Sequence, residues 1–160
     1  MQNRISTSIV GLAEVVLNVN DIEKMKAFYQ EVFGFNLLSE GNMENPPNTE
    51  GIPTIVFLEV HPINTDLGQN GHPMILALID PLRHGFTGGK FDSPHFKAST
   101  LNHLAFEISP DSYDAHLSRL KELNLSPTES EFPNMQAKAI FFRDPENNTL
   151  ELICHHKTSP

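Results

Sequence analysis

Leu101-Asn-His-Leu-Ala-Phe-Glu-Ile108 decides how this chain is read, together with the earlier segment whose pattern it repeats, Leu12-Ala-Glu-Val-Val-Leu-Asn-Val19. Each alternates with a period of two, which predicts a β-strand. In the later segment Leu104, Phe106 and Ile108 share one face, and His103, Ala105 and Glu107 share the other. In the earlier one Val15, Leu17 and Val19 oppose Glu14, Val16 and Asn18. One face calls for a core, and the other is free to carry chemistry. Glu14 therefore holds the place in its copy that His103 holds in the second.

Working outward, each strand leads into a helix. Asp21 stands where it can cap a helix over 22–33, with Ile22, Met25, Tyr29, Val32 and Phe33 as apolar positions and Gly34 as its end. Ser109 or Asp111 is placed to do the same for a helix over 112–123, which carries Tyr113, Leu117, Leu120 and Leu123 at helical spacing. Strands are predicted over 35–39, 54–60 and 74–79, with 40–51 as a loop, and again over 125–129, 137–143 and 149–155. Asp80-Pro81 stops the first set, and Asp144-Pro-Glu-Asn-Asn148 is a turn between antiparallel neighbours. Both halves thus read strand, helix, strand, strand, strand, a duplication of pattern and spacing rather than of residue identity. The expected fold is α+β, with βαβββ modules at 12–80 and 101–156 and a linker or flap at 81–100. Each module covers one sheet face with its helix, so the two free faces can line a shared cleft.

Composition narrows the function. Hydrophobic residues make up 39% of the 160 residues, with eleven phenylalanines, as a folded domain requires. A formal net charge of -9 opposes nucleic-acid or anionic-membrane binding through bulk electrostatics and leaves small ligands open. No apolar run reaches transmembrane length, and no secretory signal pattern opens the chain, so a cytoplasmic location is expected. Cys154, the single cysteine, lies in an apolar run and reads as a small buried hydrophobe rather than a nucleophile.

The last strand sets Leu150, Leu152 and Cys154 against Glu151, Ile153 and His155. If the first and last strands of the second module are neighbours, His103 and Glu151 face the same space. An imidazole and a carboxylate converging there suit a borderline or hard divalent metal. Glu14 would give a third ligand and leave positions open for water and substrate. The competing reading is a hydrogen-bonded pair, or simply polar residues at a sheet edge. Glu59, His61 and Phe57 share a face of the third strand and are candidate pocket residues, as are Asn18, Glu107 and His155. His72, His84 and His95 fall in turns or the central segment and are expected to be solvated. Arg143, before Asp144-Pro145, is read as turn architecture, with a pocket role as the alternative.

Four stretches resemble the vicinal oxygen chelate superfamily: Val15-Val-Leu-Asn-Val-Asn-Asp21, Ala27-Phe-Tyr-Gln-Glu-Val-Phe-Gly-Phe35, Leu101-Asn-His-Leu-Ala-Phe106 and Phe142-Arg-Asp-Pro-Glu-Asn-Asn-Thr-Leu-Glu-Leu-Ile153. That family includes glyoxalase I, fosfomycin-resistance and bleomycin-resistance proteins, methylmalonyl-CoA epimerase and extradiol dioxygenases. The resemblance covers 12–155 and is specific for fold rather than reaction. It implies metal ligands from the first and last strands of each module, which here are His103 and Glu151, Glu14 where histidine or glutamine is usual, and a fourth position near Ala77, which cannot ligate. The implied cofactor is a divalent ion (Fe, Mn, Zn or Ni), and the implied activity is a lyase, isomerase or dioxygenase reaction on a small molecule chelated through adjacent oxygens. Glu14 would serve either as a ligand or as a free general base. The departure near Ala77 keeps an alternative in play, a metal-free protein that sequesters a small ligand, whose acidic balance would suit a cation. The modules could pair within one chain or across a homodimer.

Overall fold

The computed structural model describes residues 14–44, 46, 48–62, 73–84, 103–133 and 136–155. The chain forms two compact units, residues 1–90 and 91–160. Each is a βαβββ module with one four-stranded mixed sheet.

In the first unit the elements are β1 (Glu14–Asn18), α1 (Ile22–Phe33), β2 (Asn36–Gly41), β3 (Ile55–His61) and β4 (Met74–Ile79), with the strands in the order β1-β4-β3-β2. β1 runs parallel to β4 because a helix intervenes after it, whereas the remaining neighbours are antiparallel. Asp21 caps α1 as its sequence position predicts, its carboxylate accepting the Lys24 N–H at 3.0 Å. Gly34 closes the helix in the left-handed conformation at φ 71°, its N–H donating to the Gln30 carbonyl. Ile22, Met25 and Tyr29 of α1 are buried with Leu17, Val56, Leu58, Leu76 and Leu78 of the sheet.

The second unit repeats this with β5 (Leu104–Glu107), α2 (Tyr113–Glu122), β6 (Thr128–Phe132), β7 (Ala137–Arg143) and β8 (Thr149–His155), in the order β5-β8-β7-β6. Its core joins Tyr113 and Leu120 to Ile140, Phe142, Leu150, Leu152 and Cys154. The buried Cys154 is the small hydrophobe that its apolar run predicts.

Several boundaries differ from the sequence reading. β2 extends to Gly41, because Gly41 still pairs with Ile55 and its carbonyl accepts the Thr54 N–H. β6 begins at Thr128 instead of 125. Leu125 spends its N–H on the Leu120 carbonyl at the end of α2, and Pro127 has none to offer a ladder. The second helix is not capped by the Ser109 or Asp111 side chain. A 3-10 turn over Pro110–Ser112 leads straight into α2, and the N–H and hydroxyl of Ser112 both donate to the Ser109 carbonyl. A linker or flap role for 81–100 falls mostly outside the described residues.

His84 is a plain correction. It is buried rather than solvated, with Nδ1 3.1 Å from the Thr54 hydroxyl. The turn after β4 brings it there: Asp80 accepts the N–H groups of Leu82 and Arg83 on its carboxylate and that of His84 on its carbonyl, folding the histidine back. His72 and His95 lie outside the described residues.

Candidate functional site

β5 and β8 are parallel neighbours, with Ala105 aligned on Glu151 and Glu107 on Ile153. This adjacency places His103, two residues before Ala105, diagonally across from Glu151. The imidazole Nε2 lies 3.0 Å from a Glu151 carboxylate oxygen. Glu151 is only 5% exposed, whereas His103 keeps a large solvent-facing surface. A buried carboxylate needs a partner, and here the imidazole supplies it. The Phe141 ring, next to Glu151 in the register with β7, stands edge-on to His103 with centroids 6.1 Å apart.

The pair has two chemical uses. As found, it is a hydrogen-bonded acid–base couple. The donor set also fits a divalent ion, because two nitrogen or oxygen ligands about 2.1 Å from one ion and at right angles lie about 3 Å apart. Metal binding would replace the proton that the two groups share. Among the described residues no group of three or more His, Cys, Asp or Glu side chains is assembled as a metal site.

A second couple repeats the same diagonal farther along these strands. Glu107 and His155 approach to 3.5 Å, both exposed, on the face that carries His103 and Glu151. In the first unit Glu14 is exposed on β1 and aligned with Ile75, which is aligned on its other side with Glu59. Glu14 and Glu59 therefore share a sheet face. Glu59 accepts a long hydrogen bond from the Asn36 amide at 3.4 Å, a partner that period-two reasoning on β3 alone could not supply. A bulge between Glu59 and His61 interrupts the alternation that would have kept them on one face. Asn18 is exposed at the end of β1, opposite Ile79.

The registers of the two sheets test the internal repeat directly. Two residues past His103, Ala105 aligns with Glu151; two residues past Glu14, Val16 aligns with Ala77. Ala77, near which the family resemblance puts a fourth ligand position, thus occupies the position of Glu151 in its own sheet and is buried with no donor to offer.

Sequence reasoning missed what stands beside the His103 and Glu151 couple. A cavity of about 390 Å³ is lined by Leu125, Ser126, Thr128, Phe141, Phe142, Arg143 and Thr149. Its sequence signal is Arg143, for which a pocket role stands as the alternative to turn architecture, while the remaining lining residues give none.

Comparison with known proteins yields a family and a fold. A family model described as "Glyoxalase/Bleomycin resistance protein/Dioxygenase superfamily" matches residues 11–152. The uncharacterized protein YaeR of Escherichia coli (strain K12) is 30% identical over 148 residues, covering 90% of this chain and 98% of that protein. The metallothiol transferase FosB of Lysinibacillus sphaericus (strain C3-41) is 23% identical over 145 residues, covering 90% of this chain and 82% of that protein. A solved structure of the fosfomycin resistance protein FosX from Listeria monocytogenes, complexed with Mn(II) and sulfate ion, superposes with a TM-score of 0.57 at 21% identity, covering 93% of this chain and 95% of that one. At that identity the likeness speaks for the fold alone.

Proposed function

The chain belongs to the glyoxalase/bleomycin resistance protein/dioxygenase superfamily, and from that premise we propose that it is a metal-dependent enzyme acting on a small molecule held through adjacent oxygens. The observation that carries this reading is the 3.0 Å approach of His103 Nε2 to the buried Glu151 carboxylate. FosX, which shares the fold, has been crystallised with Mn(II), and FosB is a metallothiol transferase by name, so a divalent ion is in keeping with the family.

In this reading His103 and Glu151 hold the ion, and Glu14 is the third ligand and second carboxylate assigned to it. The bound ion would act as a Lewis acid on a coordinated oxygen, stabilising charge that develops there. The chain's own residues do the rest. Glu151, buried and fixed by β8, resists displacement and orients His103. Phe141 walls the site on the β7 side and keeps water from one flank of the imidazole. Glu14, when not engaged as a ligand, is exposed and free to take a proton from carbon or oxygen of the substrate.

A metal-free binding protein is a second reading, and a specific observation favours it. Ala77 fills the position equivalent to Glu151, so the first sheet lacks the donor that its repeat carries. Metal analysis after mild purification, followed by re-addition of iron, manganese, zinc and nickel, separates the two. We expect one ion per chain in the wild type and loss of stoichiometric binding in both His103→Ala and Glu151→Ala, with circular dichroism unchanged. Full occupancy retained in both variants overturns the ligand assignment, and an inert wild type favours the binder.

A further inference from the structure

We propose that the cavity beside Phe141 is a subsite for the anionic end of a small organic ligand, a carboxylate on a short apolar stem, with Arg143 as its counter-charge. The inference rests on the preceding reading in one respect: it takes His103 and Glu151 as the reacting end of the same site.

Three observations converge. The first is position. Thr128, Phe141 and Glu151 are aligned across β6, β7 and β8, and Arg143 is aligned with Thr149. All five side chains therefore leave the sheet on one face, and Phe141 both lines the cavity and stands edge-on to His103. Two strand spacings, about 10 Å, separate Glu151 from Thr128, room for a ligand of several heavy atoms.

The second observation is charge. Arg83 is engaged by the Asp80 carboxylate at 2.6 Å, and Arg119 stands 3.8 Å from Glu122. Arg143 has no carboxylate partner among the described residues. Its sequence neighbour Asp144 is engaged in the turn, where its carboxylate accepts the N–H groups of Glu146 and Asn148 and the Asn148 side-chain amide. One Arg143 nitrogen donates to the Asn147 carbonyl at 2.8 Å, which anchors the guanidinium over the turn and leaves donors over. Ser126, Thr128 and Thr149, each carrying a hydroxyl, line the same cavity, and the remaining lining residues, Leu125, Phe141 and Phe142, are apolar. A fork of donors above an apolar floor suits a carboxylate with a hydrocarbon stem.

The third is backbone strain. Ser126 is held at φ 49° immediately before Pro127, a conformation costly for a residue with a side chain and doubly so before proline. The loop that keeps it there forms one side of the cavity.

Butyrate tests the subsite without recourse to the metal. The full-length chain, treated with chelator, is titrated with butyrate and separately with butylammonium, following calorimetric heat and the Arg143 Nε–H resonance. A net charge of -9 favours the cation everywhere except beside a local guanidinium, so selectivity for the anion is diagnostic. We expect butyrate to bind at least about tenfold more tightly than butylammonium, Arg143→Gln to weaken butyrate by about tenfold or more, and Arg143→Lys to retain part of the loss. Because the ion is removed before the titration, butyrate binding is read without it, so failure of the metal reading and failure of this one are told apart. Equal binding of butyrate and butylammonium, butyrate binding unaltered in a folded Arg143→Gln variant, or no butyrate binding by the wild type overturns the proposal.

Discussion

At the scale of single residues, two polar pairs do different work. Glu151 and His103 form a couple with one partner open to solvent, the condition for exchanging a proton for a ligand. Thr54 and His84 are both buried, and their contact is structural. The Thr54 oxygen accepts the Met43 N–H at 2.9 Å and lies 3.1 Å from His84 Nδ1, so one hydroxyl ties the loop after β2 to the turn after β4. Thr54→Val keeps the shape and removes the oxygen, taking away the acceptor of the Met43 N–H and the hydroxyl beside the buried His84 ring. A loss of about 2 to 4 kcal/mol is expected in chemical denaturation, with Thr54→Ser close to wild type. Should Thr54→Val cost no more than Thr54→Ser, packing and not the hydroxyl holds this corner.

Among elements, α2 packs on its sheet through Leu120 and Tyr113, and Tyr113 adds polar contacts to that packing. The Tyr113 hydroxyl is shared between Glu129 Oε2 at 3.2 Å and the Ala139 carbonyl at 3.3 Å, and the Lys138 ammonium sits 3.7 Å above the ring. Burial first, and the Glu129 carboxylate next, push the phenol up to about 12. A phenol whose folded value is raised binds its proton more tightly when folded. The contribution is therefore complete below pH 10, the ordinary value, and is lost as pH rises from 10 to about 12. We expect wild-type stability to fall by roughly 2 kcal/mol across that interval and Tyr113→Phe to fall less, measured by urea midpoints at successive pH values. Parallel curves for the two proteins would deny Tyr113 this role. Most elements were legible because alternation and helical spacing are local: β4, β7, β8 and α1 have the bounds that their residues predict. What escaped was decided elsewhere in the chain. β6 started late because Leu125 and Pro127 had no ladder donors to give, and the bulge at Glu59 to His61 depends on how β3 meets β4. The His103 and Glu151 couple was legible because strand adjacency follows from the repeat. The cavity at Arg143 was not, since its walls come from three strands and a loop whose strain no spacing rule predicts.

For the molecule as a whole, duplication sets the terms. The two sheets share strand order and register, yet their chemistry has diverged at matching positions: glutamate at 14 against histidine at 103, alanine at 77 against glutamate at 151. At these matching positions the second unit brings an imidazole and a carboxylate together, whereas the first offers a carboxylate and a methyl group, so under the proposed reading two ligands come from the second unit. Glu14 is the candidate for a third that the repeat itself nominates. Exposed and at the start of its strand, it contributes little to the first unit's core, so Glu14→Gln should leave the denaturation midpoint within about 0.5 kcal/mol of wild type. If Glu14 completes the site, that substitution should weaken metal binding by at least about tenfold while His103 and Glu151 still hold residual metal. Competition with a calibrated chelator gives the affinity, and the same titration on Glu59→Gln controls for loss of a negative charge on that sheet face. Equal weakening in both variants would reduce Glu14 to a contribution to the local field, and no weakening in either would assign all of the protein's ligands to the second unit.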